Sequence, residues 1–257
     1  MNKSELLFYD AYEQFYAMTS ESIAFKEFCK DAFGADFSQD GFSDLSQVDL
    51  ILPYIPLKEK VHILDVGCGN GKMLGYLQAK TGATIHGFDY SEQAIQTARK
   101  LHALNADFQV GVMGEMEYPQ ESFDVITSMD TMYFAKDMVT FVGQIKKWLK
   151  PEGVFFVGYQ EGDVMPKTKD EHTSALAKAF RQNEFEYEVK DITFQTYEML
   201  KRKRKAALKH ASAFEAEGNK QWFDMLMLQT ECAMEDYKEF EKKLARYIYV
   251  AKKTTTT

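Results

Sequence analysis

From residue 61 onward, short β-branched runs alternate with helical stretches, and this alternation restricts the fold more than any other feature of the sequence. The predicted strands are residues 61–66, 83–89, 107–111, 123–129 and 153–160. The helices predicted between or after them are residues 71–81, 91–104 and 136–149. A strand, a helix and a further strand form right-handed crossover units, which build a parallel sheet with helices on both faces. We therefore predict an α/β fold.

The last third of the chain is less regular. A helix at 170–183 and a strand at 185–194 precede two long amphipathic helices at 196–214 and 220–244, and residues 245–253 form a closing strand. The helical pair thus lies between the last two strands. We expect a Rossmann-like sheet of seven strands, mostly parallel with an antiparallel last strand, and a helical lid insertion over about residues 195–244.

In the first 56 residues the sequence pattern predicts helices and no strands. Helical stretches are predicted at 4–18, 20–33 and 45–55, and the last two end at Gly34 and Pro56, residue types that commonly terminate helices. We predict an N-terminal helical cap at residues 1–56 and a single α/β domain at 57–257. We expect the cap and the insertion to cover the mouth of the active site.

A glycine-rich segment follows the first predicted strand. Asp65 ends that strand, and Gly67, Gly69 and Gly71 follow at every second position before a helix begins. Glycines let the backbone turn sharply and let a ligand approach closely, and the first turn of the helix offers free amides to it. Taken alone, such a turn could also be a tight strand–helix connection.

Two phosphate-binding motifs do not fit this segment. A dinucleotide fingerprint needs glycine where this chain has Lys72, which disfavours a nicotinamide-dependent oxidoreductase. A P-loop needs glycine where this chain has Val66 and a hydroxyl residue where it has Met73.

The pattern D-x-G-x-G-x-G resembles the first motif of the class I S-adenosylmethionine-dependent methyltransferases. The match extends over about residues 57–160, where Asp89 ends the second strand 24 residues after Asp65. The resemblance implies S-adenosyl-L-methionine as cofactor, S-adenosyl-L-homocysteine as product, and no metal. It implies cofactor contacts from Asp65, Gly67, Cys68, Gly69, Gly71, Asp89, Tyr90, Met113, Gly114 and Met129.

The resemblance also gives these residues roles. Asp65 and the glycine turn would hold the methionine end of the cofactor, Asp89 would accept both ribose hydroxyls, and Tyr90 would lie beside the adenine. The family usually has an aspartate facing the adenine where this chain has Val112. Adenine recognition would then depend on backbone groups near Met113 and Gly114, or on a carboxylate such as Glu115.

Methyl transfer from a sulfonium depends mostly on alignment and exclusion of water, and a base is needed only for a protonated acceptor. Asp130 and Tyr133, after the fourth strand, are the candidate catalytic residues, with a turn or capping role as the alternative for Asp130. Candidate substrate or lid residues, for which packing is the alternative, are Tyr9, Tyr16, Tyr159 and Trp222.

Composition and charge restrict the partners. The net charge of −8 gives no overall attraction to nucleic acid, and we interpret the basic run at 201–205 as a solvated helix face. The longest apolar run, residues 48–57, contains an aspartate and two prolines and is too short to span a bilayer. Scattered histidines and three distant cysteines suggest neither a metal site nor disulfides. We expect a cytoplasmic monomer or homodimer.

The sequence therefore predicts methyl transfer to nitrogen or oxygen of a small molecule. Two alternatives stay open: an RNA or protein methyltransferase, and a catalytically silent protein that binds the cofactor.

Overall fold

A computed structural model describes residues 6–254 and contains one sheet of seven strands in the order β3-β2-β1-β4-β5-β7-β6. The strands are β1 (His62–Val66), β2 (Thr84–Asp89), β3 (Ala106–Val110), β4 (Phe123–Met129), β5 (Leu149–Glu161), β6 (Glu186–Asp191) and β7 (Ala245–Lys252). Strands β1 to β5 are parallel to their neighbours, and β7 pairs antiparallel with both β5 and β6. The predicted seven-stranded α/β sheet with an antiparallel last strand is confirmed.

Ten α-helices lie within the described residues. They are α1 (Tyr9–Glu21), α2 (Ile23–Phe33), α3 (Leu45–Asp49), α4 (Lys72–Thr81), α5 (Glu92–Leu101), α6 (Met138–Trp148), α7 (Ala175–Gln182), α8 (Thr193–Ala216), α9 (Lys220–Gln229) and α10 (Tyr237–Lys243). The predicted first helix began at residue 4, which lies outside the described residues. Short 3-10 helices span Leu52–Tyr54, Met132–Phe134 and Glu231–Met234.

The long helix predicted at 220–244 is wrong, because the chain breaks it into α9, a 3-10 turn and α10. The Thr230 hydroxyl donates to the Leu226 carbonyl at 2.9 Å and ends α9. The Asp236 carboxylate then accepts from the Glu239 amide at 3.1 Å and caps a new helix. Side-chain hydrogen bonds to the backbone thus interrupt a pattern that hydrophobic spacing alone makes continuous.

Apolar layers cover both faces of the sheet. One face packs on α6 and α7 and includes Trp148, and the other packs on α3, α4 and α5 and includes Ile63. Helices α1 and α2 instead share a third cluster with α8, α9 and α10, which includes Phe28 and Phe214. The N-terminal helices and the late insertion therefore pack as one helical layer. Among residues 6–254, no helix combines the length and apolar character that crossing a bilayer requires.

The basic run at 201–205 is only in part the solvated face that the sequence suggested, since Lys201, Arg202 and Lys205 are exposed and Lys203 is not. Lys203 is only 1% exposed and donates to the Gln229 side-chain oxygen at 2.8 Å. Arg202 pairs with Asp44 at 2.6 Å, and Arg204 donates to the Met227 carbonyl at 2.8 Å. Three of these five basic side chains thus hold α8 against neighbouring segments.

Two histidines meet on neighbouring strands. His62 on β1 and His86 on β2 stack with ring centroids 5.3 Å apart, and Nδ1 of His62 lies 3.0 Å from Nε2 of His86. Burial first, and then the charge of His62, lowers the pKa of His86 below its usual 6.5. The fold therefore favours a neutral imidazole at this position.

This pair predicts a loss of stability in acid. The unfolded chain takes up a proton on His86 near pH 6.5 before the folded chain does, so the free energy of unfolding falls as the pH drops through that value. We expect the urea midpoint to fall less between pH 7.5 and 5.5 in His86→Gln than in the wild type. His172→Gln, at an exposed position, is the matched control, and equal losses in all three proteins would contradict the prediction.

Candidate active site

A cavity opens at the carboxyl ends of β1, β2 and β4 and encloses about 990 Å³ including its mouth. The chain passes from β1 to β2 on one side and from β4 to β5 on the other, so the loops after β1 and β4 diverge and leave a crevice. Ligands of open α/β sheets bind in such crevices. Side chains from α1 and from the loop between α2 and α3 close it from above.

The glycine turn forms the floor of the cavity. Gly67 and Gly69 have φ angles of 77° and 52°, which disfavour residues with a β-carbon. A β-carbon on Gly67 would lie 2.8 Å from the side chain of Thr131, and one on Gly69 would collide with the Tyr16 hydroxyl. Only glycine therefore lets the backbone pass this close beneath the two side chains.

Asp65, at the end of β1, is an unsatisfied carboxylate at this floor. It is 3% exposed, and its Oδ1 accepts no hydrogen bond from the described residues. Burial first, and then the charge of Asp89, raises the pKa of Asp65 well above its usual value. A buried acceptor without a donor is costly, so this carboxylate is suited to a cationic or N–H donor group of a ligand.

Asp89, at the end of β2, links the second strand to the glycine turn. Its Oδ2 accepts from the Gly69 amide and its Oδ1 from the Ser91 amide, both at 2.9 Å. Burial raises its pKa to about 6, although the two amides act in the opposite direction. Each oxygen can accept a further bond, so the carboxylate is positioned for a pair of ligand hydroxyls.

An aromatic group of Tyr9, Tyr12, Tyr90 and Phe134 lies at the mouth. Tyr12 packs edge-on against Tyr90 at 6.2 Å and against Phe134 at 5.9 Å, while Tyr9 lies 5.7 Å from Tyr90. The Tyr90 hydroxyl donates to the Leu7 carbonyl at 3.0 Å. Helix α1 is thus attached over the cavity, and Tyr12, Tyr90 and Phe134 face it.

The loop at residues 34–44, here called the capping loop, forms another wall. The Lys72 ammonium lies 2.7 Å from both the Asp36 carboxylate and the Ser38 hydroxyl. The Asn70 amide donates to the Ser38 carbonyl at 3.2 Å. The lysine that breaks the dinucleotide pattern therefore anchors this loop, whose residues Ser38 to Gly41 line the cavity.

Asp130, directly after β4, is held by several donors. Arg246 of β7, fully buried, forms an ion pair with it and donates from its second terminal nitrogen at 3.0 Å. The Ser43 hydroxyl donates at 3.0 Å and the Phe42 amide at 3.2 Å. Asp130 has a φ of 63°, an uncommon conformation that this network maintains. Its charge is neutralised inside the protein.

The far end of the cavity is apolar. Val112 and Met113 from the loop after β3 line it, together with Met129 from β4. Thr131 donates to the Val66 carbonyl at 2.7 Å and closes the floor between β1 and β4. Such a surface suits the flat apolar face of a base.

The cavity brings together Asp65, Gly67, Cys68, Gly69, Asp89, Tyr90, Met113, Met129, Asp130 and Tyr16 from the predicted set. Gly71 lies outside the lining because it begins α4 beneath Phe108, and Gly114 lies just beyond Met113. Tyr9, Tyr133, Tyr159 and Trp222 of the predicted set also lie outside the lining.

Four predicted aromatic residues lie away from the cavity lining. Tyr9 packs against Tyr90 and does not itself line the cavity. Tyr133 is also outside the lining, and Tyr159 is 1% exposed within the sheet packing beside Tyr249. Trp222 packs edge-on against Phe15 at 5.7 Å, so the insertion supports the helical layer and does not line the cavity.

Sequence reasoning missed the capping loop and its cavity-lining residues Gln39, Asp40 and Gly41. The signal was a segment of eleven residues between two helices, rich in Gly, Ser and Asp and without a helical pattern. Asn70, Thr131 and Phe134 were missed as well, since nothing in their spacing marks them. Within the described part of the chain, no group of three or more His, Cys, Asp or Glu is arranged to hold a metal ion.

Two curated relatives share part of this sequence. An ubiquinone biosynthesis O-methyltransferase of Bartonella tribocorum is 34% identical over 111 residues, which are 42% of this chain and 42% of the relative. Phosphoethanolamine N-methyltransferase 3 of Arabidopsis thaliana is 29% identical over 209 residues, which are 75% of this chain and 42% of the relative. The chain spans less than half the length of either relative.

A solved structure shares the fold. Phosphoethanolamine N-methyltransferase 2 of Haemonchus contortus, in complex with phosphomonomethylethanolamine and S-adenosylhomocysteine, superposes with a TM-score of 0.78 at 19% identity. The match covers 98% of this chain and 61% of that one. Residues 57–226 also match a family model described as a methyltransferase domain. Because that model covers more than half of the 257 residues, the chain belongs to the methyltransferase-domain family.

Proposed function

We propose that this protein transfers the methyl group of S-adenosyl-L-methionine to nitrogen or oxygen of a small molecule and releases S-adenosyl-L-homocysteine. The observation that carries the proposal is the buried, unsatisfied Asp65 beside a glycine turn that only glycine can form. Asp89 lies across the same turn with capacity for two hydroxyls. Family membership supports the same reaction class.

The lining fits this cofactor. Asp65 suits the ammonium of a methionine end, and the backbone at Gly67, Cys68 and Gly69 leaves room beside it. Asp89 suits ribose hydroxyls, and Tyr90 with Met113 offers apolar surface to adenine. Bound S-adenosylmethionine supplies a methyl group on positively charged sulfur, which leaves as a neutral thioether.

The residues of the chain contribute binding, orientation and exclusion of water. The aromatic group and the capping loop enclose the cavity, which favours a small acceptor over RNA or protein. The relatives named above act, by their names, on small molecules at oxygen or nitrogen. We expect a cytoplasmic monomer or homodimer.

A positioning role is proposed for Asp130 in place of proton abstraction. Arg246 and two further donors already occupy its oxygens, and the network fixes the loop between β4 and the 3-10 helix. A carboxylate so well paired is a weak base. Tyr133 lies outside the lining, so we assign it no contact with the acceptor.

A catalytically silent cofactor-binding protein is the second candidate. Asp40 and Phe134 line the same cavity but are not among the residues proposed to hold the cofactor, and this favours turnover because an acceptor can contact them there. Tight cofactor binding without methyl transfer to any small-metabolite fraction would support the silent protein and contradict our proposal.

Asp89→Asn tests the cofactor site. The variant loses charge and one of its two acceptor oxygens, so we expect the dissociation constant for S-adenosylmethionine to rise at least about tenfold, or about 1.4 kcal/mol. Isothermal titration calorimetry measures it. Asp107→Asn, on the exposed face of β3, is the matched control and should bind like the wild type. A change of less than twofold in Asp89→Asn would contradict the assignment.

Gly69→Ala tests the floor of the cavity. Its β-carbon meets the Tyr16 hydroxyl, so we expect cofactor binding to weaken more than about tenfold and stability to fall. Gly82→Ala is the control, because Gly82 has a φ of 71° but open space around it. It should lose about 1 kcal/mol of stability and keep its cofactor affinity. Adding Tyr16→Phe should recover part of the loss in Gly69→Ala, and strictly additive effects would exclude the contact.

Asp130→Asn separates positioning from catalysis. Removing one partner leaves the buried Arg246 uncompensated, so we expect a loss of about 3–5 kcal/mol in the free energy of unfolding, measured by urea denaturation. Combining it with Arg246→Met removes both charges and should recover much of that loss. The pH profile of kcat should keep its shape in whichever variant folds. A profile that loses its acid limb while stability is unchanged would identify Asp130 as a base.

A further inference from the structure

Apart from tyrosines and Cys68, the ionisable side chains that line the cavity are all carboxylates. They are Asp40, Asp65, Asp89 and Asp130, and no Lys, Arg or His from residues 6–254 lines it. Three of the four are already accounted for. Asp65 and Asp89 lie at the glycine turn proposed to hold the cofactor, and the charge of Asp130 is neutralised by Arg246. Asp40 remains.

Asp40 is held in place but not neutralised. Its Oδ1 accepts from the side-chain amide of Gln229 at 2.8 Å, and its Oδ2 accepts no hydrogen bond from the described residues. The residue is half-buried in the capping loop and lines the cavity next to Gly41. Gln229 therefore fixes the carboxylate while one oxygen stays available to a ligand.

The nearest buried cation stabilises this arrangement from behind. Lys203 donates to the Gln229 side-chain oxygen at 2.8 Å, which turns the amide nitrogen of Gln229 toward Asp40. The ammonium also lies 5.7 Å from the ring centre of Phe33 and 5.5 Å from that of Phe42. Gln229 thus lies between the two charges, and Lys203 does not reach the cavity.

Aromatic side chains line the same cavity as Asp40. Burial first, and then the charge of Asp40, raises the pKa of Tyr12 above its usual range. Tyr12 packs against Phe134, and both line the cavity. A carboxylate beside aromatic rings, in a chamber without cationic side chains, favours an ammonium through ionic and cation–π attraction.

We infer that the acceptor is a small amine that is positively charged in solution and carries no phosphate or carboxylate group, and that Asp40 binds it. The inference rests on the proposed methyl transfer and adds its substrate class. A phosphate ester would meet carboxylates and no lysine, arginine or histidine among the described lining residues. The inferred acceptor thus differs from the ligand bound in the Haemonchus contortus structure, phosphomonomethylethanolamine.

Methyl transfer to such an amine requires a free lone pair on its nitrogen. The ammonium first loses one proton to solvent, and a remaining N–H donates to Asp40 Oδ2 while the lone pair faces the methyl carbon. The nitrogen–carbon bond forms as the carbon–sulfur bond breaks, and its electron pair goes to sulfur. The product nitrogen carries the positive charge, which Asp40 and the rings stabilise. Asp40 acts by orientation and charge.

The first test determines the charge of the acceptor. The small-metabolite fraction of a cell extract is separated by ion exchange at neutral pH into cationic, neutral and anionic pools. Each pool is then incubated with the full chain and S-adenosylmethionine labelled on its methyl group. We expect the label mainly in products of the cationic pool. Label mainly in products of the other pools would overturn this inference and leave the proposed function standing.

The second test compares Asp40→Asn with Asp163→Asn on the cationic pool. Asp163 is exposed and close enough to contribute to the pKa of Tyr12, but it does not line the cavity, so it controls for a distant charge. We expect the apparent KM to rise at least tenfold in Asp40→Asn with a smaller change in kcat, and neither value to change in Asp163→Asn. Equal behaviour of the two variants would overturn the role of Asp40.

Calorimetry with S-adenosylmethionine distinguishes a failure of the proposed function from a failure of the inference about Asp40. Asp40→Asn is expected to bind the cofactor like the wild type, because Asp65 and Asp89 are intact. A wild type that binds no cofactor, or that binds it and labels no pool, would overturn the proposed function and this inference together.

Discussion

The hydrogen bond from the Gly69 amide to Asp89 Oδ2 is the interaction on which the site depends. It joins the turn after β1 to the end of β2, and it fixes the turn where a β-carbon would strike Tyr16. Loss of this bond would free the turn and leave the buried Asp89 without one of its two amide donors. The glycine turn and the Asp89 carboxylate therefore form one structural unit, and their burial at the ends of β1 and β2 stabilises it.

Charge is distributed unevenly across the molecule. Buried carboxylates gather at the carboxyl edge of the sheet, and the two basic side chains described there are already paired, Arg246 with Asp130 and Lys72 with Asp36. Arg246 reaches this edge because β7 runs antiparallel and begins where its neighbours end. Burying unpaired carboxylates destabilises the empty protein, and a cationic ligand offsets that cost on binding.

The parallel sheet and the glycine turn could be predicted from the sequence because both depend on local signals. Apolar residues recur with different periods in strands and in helices, so the two can be told apart. Asp65 and the glycines that follow it form a motif within one turn. Asp40 could not be predicted, since its position depends on Gln229, which is 189 residues away. The burial of Lys203 could not be predicted for the same reason. A basic run suggests a solvated helix face, and only the packing of α2 and the capping loop around α8 shows that Lys203 is buried. The break of the helix at Thr230 likewise depends on side-chain hydrogen bonds that hydrophobic spacing does not reveal.

Lys72 has a consequence for the order of events at the site. It is the first residue of α4, directly after the glycine turn. Its ammonium holds the capping loop, which carries Asp40. Together with Asn70, which donates to the Ser38 carbonyl, it connects the glycine turn to the wall that carries Asp40. A movement of the turn on ligand binding would be transmitted to that wall, and any coupling between the two proposed subsites would be reciprocal, each ligand changing the affinity of the other by the same factor.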